Sequence, residues 1–175
     1  MRKTLYLKFV LAYIIFGVFG FIVVATFVSS MTTEQLRREK ADALYKEATL
    51  IANTYASDLY NTVTTLDVVQ SQLGALSTYL SATIWIINPS GRMILDSSQK
   101  LVVEGFDPTV TAGSYYTIGN FFHSFDEEML SVFAPITSEF KVRGYVVIHT
   151  SMNDIYATSN GLLNISYITL CILFL

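Results

Sequence analysis

The sequence predicts an α+β protein: a five-stranded antiparallel sheet with helices on one face, bracketed by two helices that enter the same membrane. Three observations predict it. Apolar runs lie at both ends of the 175 residues, a helical repeat follows the first run, and five short β-branched or aromatic segments follow that. An antiparallel sheet with its helices segregated to one side is the usual way such an order packs.

Residues 9–30 are uncharged and mostly apolar. About 20 such residues, rising ~1.5 Å each, span a hydrocarbon core of ~30 Å. The second apolar run, 161–175, reads as the start of a further crossing, and the chain as an N-terminal piece of a larger membrane protein. Arg2, Lys3 and Lys8 precede the first run without an acid among them, which places the N-terminus, 1–8, in the cytoplasm. A cleaved signal peptide is the rival reading, but residues 9–30 exceed the 7–15 apolar residues of its usual core. All 14 acidic residues lie between Glu34 and Asp154, together with eight of the 11 basic ones, so that stretch carries −6. Residues 31–160 are therefore expected to form one acidic extracytoplasmic domain, a poor partner for nucleic acid. Cys171, the only cysteine, lies in the second apolar run and has no partner within the chain.

The first helix is expected to continue outward, because no Pro or Gly interrupts residues 28–60. That gives a rod of ~75 Å at the standard rise. Ala41, Leu44, Ala48, Ile51 and Tyr55 recur at steps of three and four, the spacing of a coiled-coil seam, and are read as the contact line of a parallel homodimer. The β-branched patch 62–65 favours a break. A second helix places Leu66, Val69, Leu73, Leu76 and Leu80 on one face.

Residues 84–87, Ile-Trp-Ile-Ile, form a continuous apolar run that suits a strand covered on both faces. Asn88-Pro89-Ser90-Gly91 is a tight turn, and 92–96 return as the hairpin partner. Residues 97–113 read as a loop, with a short helix starting at Asp107-Pro108. The third strand is expected over 118–125, followed by the charged turn 126–128. The fourth covers 129–136 and the fifth 145–148, joined by a polar connection. Ser151 resembles a helix cap, with Asp154 placed to favour the N-terminus of a last helix starting near Met152.

This order, with its basic start, its helix Ala41-Asp42-Ala43-Leu44-Tyr45-Lys46-Glu47-Ala48, its hairpin Ile84-Trp85-Ile86-Ile87-Asn88-Pro89-Ser90-Gly91-Arg92 and its exit strand Gly144-Tyr145-Val146-Val147-Ile148-His149, resembles the PAS-like (Cache, or PDC) extracytoplasmic sensor of bacterial sensor histidine kinases. Chemoreceptors and membrane-bound diguanylate cyclases use similar modules. The resemblance implies a long helix across the sheet, ligand or partner loops on the other face, and a parallel dimer. It also implies signalling through two membrane helices to a kinase domain that uses ATP and Mg²⁺ and passes phosphate to a response regulator. The phospho-acceptor and ATP-binding motifs lie outside these 175 residues, so no catalytic residue and no cofactor is assigned here. A non-enzymatic two-pass binding protein is the remaining alternative.

Arg92, Tyr115, Tyr116 and His123 are the candidate ligand residues, expected to converge on the sheet face away from the long helix. Tyrosine offers an apolar wall with a hydrogen-bonding tip, and arginine a fork for carboxylates. The ligand is an unidentified extracellular small molecule or protein. No metal site is assigned: His123 near Asp126, Glu127 and Glu128 reads as a polar hairpin residue beside a solvated turn. His149, alternating with Tyr145 and Val147, reads as a hydrogen-bonded sheet histidine.

Overall fold

A computed structural model describes residues 2–56, 65–98 and 113–174. Helix α1 runs from Arg2–Ile51 without a break and widens into a π-helical turn at Ala52–Ala56. Helix α2 spans Leu66–Leu80. Then come β1 (Thr83–Ile87), β2 (Met93–Asp96), β3 (Tyr116–Gly119), β4 (Met129–Ser138), β5 (Lys141–Ser151) and α3 (Met152–Phe174). The expected break at 62–64 and the short helix at Asp107 fall outside the described residues.

The chain divides into two compact units, Arg38–Asp154 and the pair Met1–Arg37 with Ile155–Leu175. The first lies inside the expected domain 31–160. In the second, Phe9, Phe16, Phe19 and Phe27 stand exposed along α1. Thr33 and Ser159 share a hydrogen bond of 2.7 Å between α1 and α3.

The sheet of the first unit is antiparallel with order β2-β1-β5-β4-β3. Directly paired residues share a face. Ile84 pairs with Ile148, and Ile148 with Val132. With Ile86, Leu130, Ala134, Ile136 and Val146 they form an aliphatic face with no exposed surface. The π-helical turn lies against β4 and β5, and α2 against β1, so the helices cover this face. Trp85 pairs with Val147, and Val147 with Phe133. These three join Ile87 and Phe121 in an aromatic cluster on the opposite face, which contains no helical residue.

Three expectations change. Ala41, Leu44, Ala48 and Ile51 are buried within the single chain, so this stripe is covered by its own domain and is not free to pair with a second copy. A stripe that packs on a sheet has the same three-and-four spacing as a coiled-coil seam. The side chain of Tyr55 lies outside the described residues. Strand β3 begins and ends earlier than predicted, because the backbone leaves the extended region after Gly119 and Phe121, Phe122 and His123 take φ of 45°, 56° and 62°. The polar connection between β4 and β5 is itself strand except for a tight turn at Glu139 and Phe140, with φ of 51° and 61°.

Candidate functional site

On the aromatic face two fully buried polar side chains, Ser131 and His149, sit beside the ring cluster. His149 is fully buried on β5, and its Nδ1 lies 2.7 Å from the Ser131 hydroxyl of β4. Pairing of Ser131 with His149 in the ladder places the two side by side. Three rings enclose the imidazole: Trp85 at 4.3 Å between centroids, Phe121 at 4.5 Å and Phe125 at 4.9 Å. Trp85 also stacks on Phe125 at 5.5 Å and meets Phe121 edge-on at 5.6 Å. Burial lowers the His149 pKa to about 3, so the ring is neutral near pH 7.

Among the described residues, neither Trp85 Nε1 nor His149 Nε2 has a hydrogen-bond partner. A buried donor or acceptor left alone costs about 1–3 kcal/mol. The indole N–H is always a donor. When the Ser131 hydroxyl donates to Nδ1, His149 Nε2 carries the proton and is a donor too; in the other tautomer it accepts. In either case the pair calls for a partner that presents an acceptor oxygen.

Phe121 and Phe125 reach this face from the connection between β3 and β4. Its left-handed run is costly for residues with a Cβ, at roughly 1–2 kcal/mol each. Local bonds hold it: Ser124 N–H donates to the Phe121 carbonyl at 3.1 Å, Phe125 N–H to the Asn120 carbonyl at 3.2 Å, and His123 Nδ1 lies 3.0 Å from Asn120 Nδ2. Sparsely populated backbone of this kind persists where the surroundings over-determine it. At the far end Asp126, Glu127 and Glu128 form the exposed turn expected from the sequence, and it is tied to the start of α3. Glu127 accepts from the Ser151 hydroxyl and from Asn153 Nδ2, both at 2.8 Å. Ser151 acts as the predicted cap, its hydroxyl accepting from Asn153 N–H at 3.2 Å.

Beside the cluster lies a cleft of about 190 Å³ lined by Tyr45, Tyr115, Phe133, Pro135 and Tyr145, with Gly113 and Ser114. Phe133 and Tyr145 belong to both features. The Tyr115 hydroxyl donates to Asp42 of α1, and this bond is the main reason its pKa is raised.

The four sequence candidates do not converge. Tyr115 and Tyr116 touch at 5.2 Å between ring centroids, and Tyr115 reaches toward α1 through Tyr45 and Asp42 instead of facing away from it. His123 is exposed on the β3–β4 connection. Arg92 is exposed beside β2, while Tyr116 lies in β3, at the opposite edge of the sheet. Four strand spacings, roughly 19 Å, separate those edges. Trp85 and His149 were legible as inward-facing strand residues; their unpaired nitrogens follow from the register between β1, β5 and β4, which local sequence does not carry.

No protein-family model and no curated protein matches the chain. Solved structures do. The extracellular domain of a histidine kinase aligns with TM-score 0.58 and 11% identity over 82% of this chain and 62% of its own. A domain of a sensory box/GGDEF family protein from Vibrio parahaemolyticus gives 0.57 and 10%, over 78% and 62%. The sensory domain of a Campylobacter jejuni chemoreceptor, solved with isoleucine bound, gives 0.54 and 11%, over 77% and 60%. The chain thus spans about three-fifths of the length of these structures. Its fold is that of the PAS-like, Cache-type sensory domains of histidine kinases and chemoreceptors.

Proposed function

We propose that residues 31–160 are the extracytoplasmic input domain of a membrane signalling protein, and that they recognise a small molecule on the aromatic face of the sheet. The observation that carries this reading is the pair of buried, unpartnered nitrogens, Trp85 Nε1 and His149 Nε2, set among Phe121 and Phe125. A ligand with an acceptor oxygen and an apolar body offsets the cost of both. The isoleucine-bound chemoreceptor domain of similar fold lends support to a ligand of that size.

In this reading the N-terminus is cytoplasmic, α1 crosses the bilayer, and α3 carries the chain back toward it. Helix α1 is long and apolar enough for a crossing, and its exposed phenylalanines suit lipid. The output is a histidine kinase domain beyond these residues, using ATP and Mg²⁺ and phosphorylating a response regulator. A chemoreceptor or diguanylate cyclase output is the second reading, favoured by the same fold in the Campylobacter jejuni chemoreceptor and the GGDEF family protein. The receptor works as a parallel homodimer. Its contact uses faces of α1 other than the stripe Ala41, Leu44, Ala48 and Ile51, which is buried.

The test is a thermal-shift panel of amino acids, small carboxylates, amides and amines on the full chain in lipid nanodiscs. A hit that loses at least tenfold in affinity in Ser131→Ala or His149→Leu supports the site. A hit unaffected by both, or no hit while the exposed Arg92→Ala alters signalling in cells, overturns it. For topology, Cys at Ser90 reacts with an impermeant thiol reagent on intact cells; labelling only after lysis removes the extracytoplasmic assignment.

A further inference from the structure

We infer that residues 120–128 couple the Trp85–His149 site to the first turn of α3, with Glu127 as the positioning residue at the helix end. The inference rests on the site reading above and concerns how that site is regulated. One end of this nine-residue connection is a plug. Phe121 and Phe125 close over His149 and Trp85, and Phe121 also packs on Phe133 at 5.7 Å. The other end is a latch. The Glu127 carboxylate accepts from Ser151 Oγ and Asn153 Nδ2, and the Glu128 carbonyl accepts from Met152 N–H at 2.9 Å. A carboxylate beside a helix N-terminus is also favoured by the helix dipole.

The rival route is β5 itself, since His149 stands two residues before Ser151. Strand β5 is paired with β1 from Tyr145 to His149 and with β4 through Ser151, so this stretch is tied into the ladder. The connection belongs to no ladder, and its left-handed backbone at Phe121, Phe122 and His123 is held by side-chain packing and a few local bonds. A ligand that displaces Phe121 therefore releases the turn, and the release reaches Glu127 through the five intervening residues. By linkage, loosening the latch must loosen the plug by the same factor.

Trp85 is the only tryptophan of the chain and reports on the plug directly. In the full chain in nanodiscs, Glu127→Ala is expected to raise the acrylamide quenching constant of Trp85 about twofold or more. Phe121→Ala is expected to speed hydrogen exchange at the Met152 and Asn153 amides at least about fivefold, the low end of ordinary coupling. Glu127→Gln, which keeps an acceptor oxygen, restores most of the Trp85 protection. Asn153→Ala removes one donor from the other side of the latch and gives a smaller change of the same sign, which keeps the test available if Glu127→Ala folds poorly. Faster exchange at Asn153 in Glu127→Ala with wild-type Trp85 quenching overturns the inference and leaves Glu127 as a helix cap alone. Neither readout uses a ligand, so failure of the ligand panel with coupling intact removes the site reading and not this one.

Discussion

On one side of the sheet Ile84, Ile86, Leu130, Val132, Ala134, Ile136, Val146 and Ile148 are fully buried with no polar side-chain atom among them. On the other, Trp85, Phe121, Phe125 and Phe133 surround a neutral histidine, and two nitrogens lack partners among the described residues. The first face is covered by helices, the second by a strained connection. Aliphatic side chains under helices maximise burial, and their worth is stability. Aromatic rings around unsatisfied polar atoms forfeit stability locally, and such atoms in a native fold call for an explanation. In the proposed reading the same five strands serve as a scaffold on one side and as a receptor surface on the other.

The largest expected effect falls on the aliphatic face. Ile148→Ala leaves a cavity at the centre of the sheet, where Ile148 faces both Ile84 and Val132. Deletions of this kind cost about 2–5 kcal/mol. Urea unfolding of the full chain in detergent measures it. A cost below 1 kcal/mol means that this face is loosely packed, and the contrast between the faces weakens.

The next effect separates the faces by pH. His149 titrates near its ordinary value when unfolded, and at about 3 when folded. Between those values the unfolded state binds the extra proton, so stability rises with pH. The contribution is complete above about pH 6.5 and is lost progressively as pH falls toward 3. From pH 7 to pH 5 this amounts to about 2 kcal/mol, at 1.4 kcal/mol per unit below the unfolded pKa. His149→Gln is expected to flatten that part of the stability profile. An unchanged slope would assign the acid sensitivity to carboxylates elsewhere and return His149 to the status of an inert core residue.

The sequence carried the aliphatic face better than the aromatic one, for physical reasons. The alternation of residues 129–136, the apolar run 84–87 and the cap at Ser151 are local signals, and the strands and helix stand where those signals put them. The end of β3 was not legible, because Asn-Phe-Phe-His contains no glycine and its left-handed backbone is imposed by packing on Trp85 and His149. Nor was the length of β5: its first residues, Lys141 to Arg143, are exposed and polar or edge-like, and the Glu139-Phe140 turn lacks the usual Asn-Gly chemistry. Arg92 joined the candidate ligand set on chemistry alone, and strand order moved it to the far edge. Sheet order is a non-local property that spacing along the chain does not encode.

Trp85→Phe gives the smallest expected change in stability and the sharpest test of the contrast. Replacing indole by phenyl loses apolar contact with His149 and Phe125, which destabilises. It also removes the buried N–H that has no partner among the described residues, which recovers about 1–3 kcal/mol. The two terms oppose each other, so the net change in urea unfolding followed by circular dichroism is expected to stay within about 1 kcal/mol. Ligand recognition, by contrast, loses the indole donor, and affinity for any panel hit is expected to fall by about tenfold or more, the 1.4 kcal/mol of one hydrogen bond. Near-neutral stability with lost binding is the signature of a residue kept for recognition. A destabilisation matching that of Ile148→Ala, with binding intact, would make Trp85 a core residue like those on the opposite face, and the two sides of the sheet would no longer differ in purpose.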